Sequence, residues 1–245
     1  MKLLSWNCRG LGNAPAVRAL LDIQRSCSPD VMFLSETHLE SYPAECLRRR
    51  LKLHHKIVCP GDSRKGGLVM LWKKEIKILP LNLDPMFIDV QVEDERHSVW
   101  RCTGMYGEFR WAHKYKTWER MRCLHQNNNM PWLLIGDLNE IQFLSEKEGG
   151  NPRPLQYMQA FQSAIDDYEL WDMGYIGDRF TWQRGGIRER LERGLINVAW
   201  EALYPSAALQ NMPYNHLDHR PILVDTEYYA LAYGGGERTK HFEAR

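Results

Sequence analysis

The sequence predicts an α+β or mixed α/β fold in one domain, built as a mixed sheet or as two packed sheets covered by helices. Two observations carry this. Short apolar runs recur along the chain, bounded by turn residues, at lengths suited to strands. Amphipathic stretches with three-to-four spacing fall between groups of these runs, so helices must lie over the sheets and connect them.

The strand candidates, in order, are 2–6 (KLLSW), 31–35 (VMFLS), 67–72 (GLVMLW), 75–81 (EIKILPL), 87–92 (FIDVQV), 98–106 (SVWRCTGMY), 132–136 (WLLIG), 180–183 (FTWQ) and 221–224 (PILV). The helix candidates are 14–26, capped by Asn13 with Val17, Leu20 and Leu21 on one face, then 43–53, 112–126, and 154–168 with Tyr157, Phe161 and Ile165 at spacing four. The runs at 67–81 and 87–106 suggest antiparallel hairpins, whereas helix-linked runs suggest crossovers. Beyond residue 230 the run Gly234-Gly235-Gly236 and dense charge predict a flexible tail, 231–245, behind a domain of residues 1–230.

Composition narrows the function classes. With 44% hydrophobic and 26% charged residues and no apolar run of membrane-spanning length, the sequence reads as soluble and intracellular, without a secretory signal. The six cysteines show neither a C-x-x-C pattern nor zinc-ligand spacing and are expected to be reduced. The 32 Lys and Arg nearly balance the 31 Asp and Glu, so any phosphate binding must be local rather than a general coating of nucleic acid. Two basic clusters, Arg48-Arg49-Arg50 with Lys52 and Arg184, Arg188, Arg190, Arg193, read equally as solvated faces or as such local patches.

A polar residue terminates each of several apolar runs: Asn7, Glu36, Tyr106, then Asp137 with Asn139. Asp218 and His219 stand at the start of the last run and reach the same rim if that strand is antiparallel to its neighbours. Singly, each reads as a cap, a surface acid or a half-buried aromatic. Together they gather carboxylates, amides, a phenol and an imidazole at strand ends, where rigid scaffolds present functional groups. Carboxylate and amide oxygens suit Mg²⁺ together with substrate phosphate, and the set predicts metal-assisted phosphodiester hydrolysis. Neither a G-x-S-x-G elbow nor a nucleotide-binding P-loop is present.

The ordered series SWNCRGL, LSETHL, TGMYGE, LIGDLNEI, GDRFTW, RLERGL and LDHRPILV resembles the endonuclease/exonuclease/phosphatase superfamily over residues 2 to about 227. The segments YGEFRWAHKYKTWERM, EKEGGNPRPLQYMQAF and RPILVDTEYY are similar to the endonuclease domain of plant LINE-type, non-LTR retrotransposons. The resemblance implies a four-layer αββα sandwich and Mg²⁺, with Mn²⁺ as a substitute. It further implies DNA as the substrate, RNA being the second polymer to consider. A monomer is expected, nuclear if it still meets chromosomal DNA and otherwise cytoplasmic. A chain of 245 residues has no room for a reverse transcriptase, so an excised domain or a truncated element-derived gene is expected.

Carried over position by position, Glu36 would hold the metal with Asn7 beside it and Asp218 supporting that side. Asp137 would activate or orient water, Asn139 contact the scissile phosphate, Tyr106 touch it near the leaving oxygen, and His219 donate to it, oriented by Glu192. Arg9 stands where the pancreatic deoxyribonuclease carries Arg and abasic-site repair enzymes an acid, and Phe180, Thr181 and Trp182 fall where relatives build a wall against DNA. Two departures stand out: Leu217 replaces the family's Ser, and Glu192 its Asp. The extra methylene of Glu192 is expected to leave the imidazole out of register, so that Glu192→Asp with Leu217→Ser raises activity. The alternatives are a weakened or inactive descendant that binds nucleic acid or protein, and a phosphatase of small phosphoesters.

Overall fold

The computed structural model describes residues 1–12, 14–61, 66–126, 130–214 and 217–233. The first half of the chain forms β1 (Lys2–Asn7), α1 (Ala14–Cys27), β2 (Val31–Ser35), α2 (Ser41–Arg50), β3 (His55–Cys59), β4 (Leu68–Trp72), β5 (Lys77–Asp84), β6 (Phe87–Glu93) and β7 (Val99–Tyr106). The centre follows with α3 (Tyr115–His125), β8 (Trp132–Asp137), β9 (Lys147–Glu148), α4 (Leu155–Asp167), β10 (Trp171–Asp172) and β11 (Ile176–Gly177). The remainder comprises β12 (Trp182–Arg184), β13 (Ile187–Glu189), β14 (Glu192–Ile196), α5 (Val198–Leu203), β15 (Ala208–Asn211), β16 (Ile222–Asp225) and α6 (Tyr228–Tyr233).

Two mixed sheets, ordered β11-β15-β16-β1-β2-β4-β3 and β10-β14-β8-β7-β6-β5, pack face to face, and β12-β13-β9 form a separate small sheet. Leu3, Phe33, Met70 and Ile222 of the first sheet meet Val90, Trp100, Cys102 and Leu133 of the second in one buried layer. The outer face of the first sheet is covered by Ala16, Val17, Leu20 and Ile23 of α1 with Ala44 and Leu47 of α2. Trp118 and Met121 of α3 and Phe161 and Ile165 of α4 cover the second. Strands enclosed on both faces need no polar alternation, which explains why β1, β2, β4 and β8 read as unbroken apolar runs. The expected four layers are present.

Particular expectations are corrected. The runs at 67–81 do not form a hairpin, because β4 pairs with β2 and β3 while β5 pairs with β6 in the other sheet. The connection turns at Lys73–Ile76 and buries Ile76 between the sheets. The 43–53 helix ends at Arg50, and the 112–126 helix divides into a 3₁₀ turn at Trp111–His113 followed by α3. Of the second basic cluster, Arg190 and Arg193 are not a solvated face. Both are buried against Glu146 and Asp172, Arg193 at 3.1 and 2.9 Å from the two Glu146 oxygens. None of the six cysteines, all among the described residues, forms a disulfide. Asn13 and residues 234–245 lie outside the described residues, whereas residues 231–233, expected to open the flexible tail 231–245, instead close α6; among the described residues no helix is long and apolar enough to cross a membrane.

Candidate active site

Strand register assembles the site. β7 and β8 run parallel with Tyr106 opposite Asp137, and β14 pairs antiparallel on the other side of β8 with Glu192 opposite the same Asp137. That approach requires glycine at two places. A Cβ at Gly136 would stand 1.9 Å from the Met105 carbonyl oxygen, and one at Gly107 would stand 2.3 Å from that of Leu138. In the other sheet β1 and β2 are parallel, with Asn7 opposite Ser35, so Glu36 emerges beside Asn7. The Asn7 amide then bridges the sheets, donating to Glu36 Oε1 and Asp137 Oδ2 at 3.0 Å each. Tyr106 donates its hydroxyl to Glu36 Oε1 at 2.6 Å.

β16 is antiparallel to β1, which brings Asp218 and His219 to this rim. His219 Nδ1 lies 2.5 Å from Glu192 Oε1 and 3.7 Å from Asp137 Oδ2, while its Nε2 faces Arg9 Nη2 at 3.1 Å. The expectation of an acid out of register is therefore corrected: the longer Glu192 side chain reaches the imidazole fully. Leu217 packs against the cluster beneath α1 and α2, so its bulk is absorbed by apolar neighbours.

The role expected of Phe180, Thr181 and Trp182 also changes. Thr181 is fully buried, its hydroxyl oxygen accepting from the backbone N–H groups of Leu191 and Glu192 at 2.9 and 3.1 Å. Its carbonyl accepts from Arg220 N at 2.7 Å, Gln183 N donates to the Asp218 carbonyl at 2.9 Å, and the Trp6 indole donates to the His219 carbonyl at 3.1 Å. Phe180 is buried under the Arg188 guanidinium. The segment thus acts as the rail on which His219 and Glu192 are hung. Only Trp182 keeps open surface, its ring centroid 6.3 Å from that of His219.

Arg9, Glu36 and Asn139 hold left-handed backbone at φ 47°, 50° and 54°, a conformation costly for side-chain-bearing residues and concentrated at functional sites. Asn139 is pinned by its N–H on Asp137 Oδ1 and its amide on the Gly107 carbonyl, both 2.8 Å. Its own carbonyl accepts from Lys114, a buried cation paired with Glu140 at 3.2 Å, which in turn meets Arg153 at 3.0 Å. Sequence reasoning missed Lys114 and Glu140. The signal was an acid placed directly after Asn139, at a position the fold encloses completely.

Burial acts to raise the Glu36 carboxyl pKa, but the Tyr106 and Asn7 donors and the Arg9 charge outweigh it and hold Glu36 ionised below its ordinary range. Burial likewise opposes a charged His219, yet Glu192, Asp137 and Asp218 prevail and raise the imidazole above its ordinary value. Burial, with Glu36 and Asp137 nearby, pushes the Tyr106 phenol up, so it remains a proton donor.

The donor set fits a hard divalent cation. Glu36 and Asp218 already gather about one positive centre, the Arg9 guanidinium, at 3.8 and 3.3 Å, and the Asn7 side-chain oxygen accepts from the Arg9 backbone N–H at 3.3 Å. Asp137, Glu192 and His219 form a second cluster whose donor atoms lie within 4.8 Å of one another. Those three are wholly enclosed, and Nδ1 of His219 is committed to Glu192, whereas Glu36 and Asp218 keep 15% and 22% of their side chains exposed. Of the two clusters, the Glu36 edge is the one with the solvent access that a cation retaining several waters would require.

No curated protein sequence matches the chain. Among solved structures, the 3′-5′ exonuclease NExo of Neisseria meningitidis superposes with a TM-score of 0.69 at 16% identity, covering 92% of this chain and 99% of that one. An AP endonuclease from Archaeoglobus fulgidus gives 0.68 at 13% identity, covering 92% and 98%. The endonuclease domain of TRAS1, a telomere-specific non-LTR retrotransposon, gives 0.67 at 12% identity, covering 91% and 97%. At these identities the likeness establishes the fold. The family model for endonucleases, exonucleases and phosphatases matches residues 4–219, a span that runs through the site from Asn7 to His219, and the chain therefore belongs to the endonuclease/exonuclease/phosphatase family, whose members hydrolyse phosphodiester or phosphoester bonds.

Proposed function

We propose that this protein is a Mg²⁺-dependent endonuclease that nicks DNA and leaves a 3′-hydroxyl, as a retrotransposon-derived enzyme would need for priming. The observation that carries the proposal is the continuous set of contacts Tyr106–Glu36–Asn7–Asp137–His219–Glu192 across the two sheets. In this reading Asp137 accepts a proton from the attacking water and His219 donates to the phosphate from Nε2, its orientation held by Glu192. Asn139 and Tyr106 contact phosphate oxygens. Water adds to phosphorus, the bond between phosphorus and the 3′ oxygen breaks, and that oxygen leaves as a hydroxyl by taking a proton from solvent, to which Asp137 in turn releases the proton it accepted. Glu36, with Asn7 and Asp218, would hold the Mg²⁺, which neutralises charge developing on the phosphate. Arg9 would turn from these acids to the substrate phosphate.

The TRAS1 domain is named as a retrotransposon endonuclease, and other similar structures carry a product DNA hairpin or single-strand DNA product, which supports DNA as the substrate. The fit of Glu192 to His219 and the apolar seat of Leu217 weigh against an inactive descendant. The test is plasmid nicked in the presence of Mg²⁺, then offered to a DNA polymerase with labelled nucleotide. Direct labelling is expected. Labelling only after phosphatase treatment would refute the 3′-hydroxyl, and hydrolysis of small phosphate monoesters without action on DNA would favour a phosphatase.

A further inference from the structure

The cleft beside the site, about 600 Å³, is lined by Glu36, Tyr106 and Asn139 and, beyond them, by two further segments of chain. That volume falls in the range of pockets that hold a nucleotide-sized ligand. One is the turn between β5 and β6, Pro85 and Met86; the other is Phe109 with Arg110, on the connection from β7 to α3. Both segments are built rather than loose. Met86 N donates to Asp84 Oδ1 at 2.8 Å, and the Met86 carbonyl accepts from Tyr106 N at 2.8 Å. On the second segment, Gly107 N donates to the Asp137 carbonyl at 2.7 Å and Glu108 N to the Thr117 hydroxyl at 2.8 Å. The buried Glu108 carboxylate accepts from Arg110 three times, from its backbone N–H at 3.0 Å, Nε at 2.9 Å and Nη2 at 2.8 Å.

Phe109 lies between the two clamped residues and lines the cleft. An aromatic residue left 44% exposed on a braced turn, on the wall of a catalytic cleft, has lost burial that a core position would give it. The Arg110 guanidinium, paired with Glu108 through Nε and Nη2 yet 57% exposed, lies 5.7 Å from the ring centroid, so an apolar ring and the guanidinium's remaining N–H donors stand side by side. A flat aromatic group carrying phosphate answers both.

We infer that Phe109 is a stacking platform for a nucleobase adjacent to the scissile phosphate, turned out of the helix stack into the cleft that Pro85 and Met86 also line. Arg110 meets the phosphate on that nucleotide's outer side. The inference rests on the nuclease reading above and goes further: the preferred strand is one whose nucleotide next to the cut is unstacked, as in single strands, flaps and frayed ends. Base–aromatic stacking is indifferent to base identity, so the preference is for structure rather than sequence.

The test uses the full chain with Asp137→Asn to prevent turnover, and oligonucleotides carrying 2-aminopurine beside the bound phosphate, single-stranded or within a duplex. Stacking quenches the fluorescence of this base. With Phe109 intact, single-strand binding is expected to quench strongly; Phe109→Ala is expected to remove the quench and weaken single-strand affinity on the order of tenfold. Phe109→Trp, which restores a π face, is expected to keep both, and affinity for unbroken duplex is expected to change less than about twofold. Binding and quenching by Phe109→Ala equal to its parent would overturn the platform while leaving the nuclease reading intact. A parent chain that binds neither DNA form would overturn both.

Discussion

Shortening Glu192 by one methylene, Glu192→Asp, is expected to lower activity rather than restore it. The Glu192 Oε1 to His219 Nδ1 distance is 2.5 Å, and Glu192 is fixed by its pairing opposite Asp137 and by its N–H on the Thr181 hydroxyl. The backbone cannot advance to compensate. Removing a carbon–carbon bond of about 1.5 Å leaves the carboxylate roughly 4 Å from the ring, beyond hydrogen-bond reach. A buried imidazole deprived of its charged acceptor loses about 1–3 kcal/mol, and a displacement of about 1 Å at a catalytic group costs on the order of 10² in rate. Glu192→Gln keeps the reach and loses the charge. Since the equivalent loss in a serine protease costs about 10⁴, it should be the slower of the two variants. Single-turnover nicking at saturating Mg²⁺ gives the order wild type, Asp, Gln. A melting temperature lower by roughly 4 to 8 °C should accompany Glu192→Asp if about 2 kcal/mol is lost. An Asp variant as fast as wild type would refute this account of the pair.

Arg193→Met is expected to cost about 3–5 kcal/mol of stability, read by urea denaturation, because it leaves Glu146 and Asp172 buried with less counter-charge. Acid should act on the same network. Burial raises the Asp172 pKa, but Arg190 and Arg193 prevail and hold it at about 2 against an ordinary value of 3.8. A depressed carboxylate stabilises the fold above its unfolded pKa, so about 2 kcal/mol should be present at neutral pH and disappear as pH falls from about 4 to about 2. Urea midpoints across that range check it, and Asp172→Asn should flatten the dependence. DNA affinity should fall with added salt at a slope reflecting only a few phosphate contacts, measured by anisotropy, since formal net charge is +1.

Much of the site was legible because enclosed strands leave few places for polar side chains. Asn7, Glu36, Tyr106 and Asp137 each end an apolar run, and all four meet in the structure. Strands that break this rule were not legible. β14 opens on Glu192 and Arg193, charged residues with no exposed surface, whose partners Glu146, Asp172 and His219 are distant in sequence. β3 is only half-buried at a sheet edge, and β15 (Ala208–Asn211) interrupts its apolar residues with Gln210 and Asn211, so neither carries an unbroken apolar signature. The segment Phe180–Trp182 pointed to the site, but whether it faces ligand or braces His219 depends on pairing with Asp218 and Arg220, which periodicity does not encode.

The most direct test of the central claim is conversion of supercoiled plasmid to open circle by the purified chain, with Mg²⁺ and with EDTA, beside Asp137→Asn and His219→Ala. Expected are metal-dependent nicking by the wild-type chain, loss of that nicking in EDTA, and losses of at least about 10² in both variants with folding retained. Nicking that persists undiminished in Asp137→Asn, or none by the wild-type chain at micromolar concentration with Mg²⁺ or Mn²⁺, would contradict the assignment of this site.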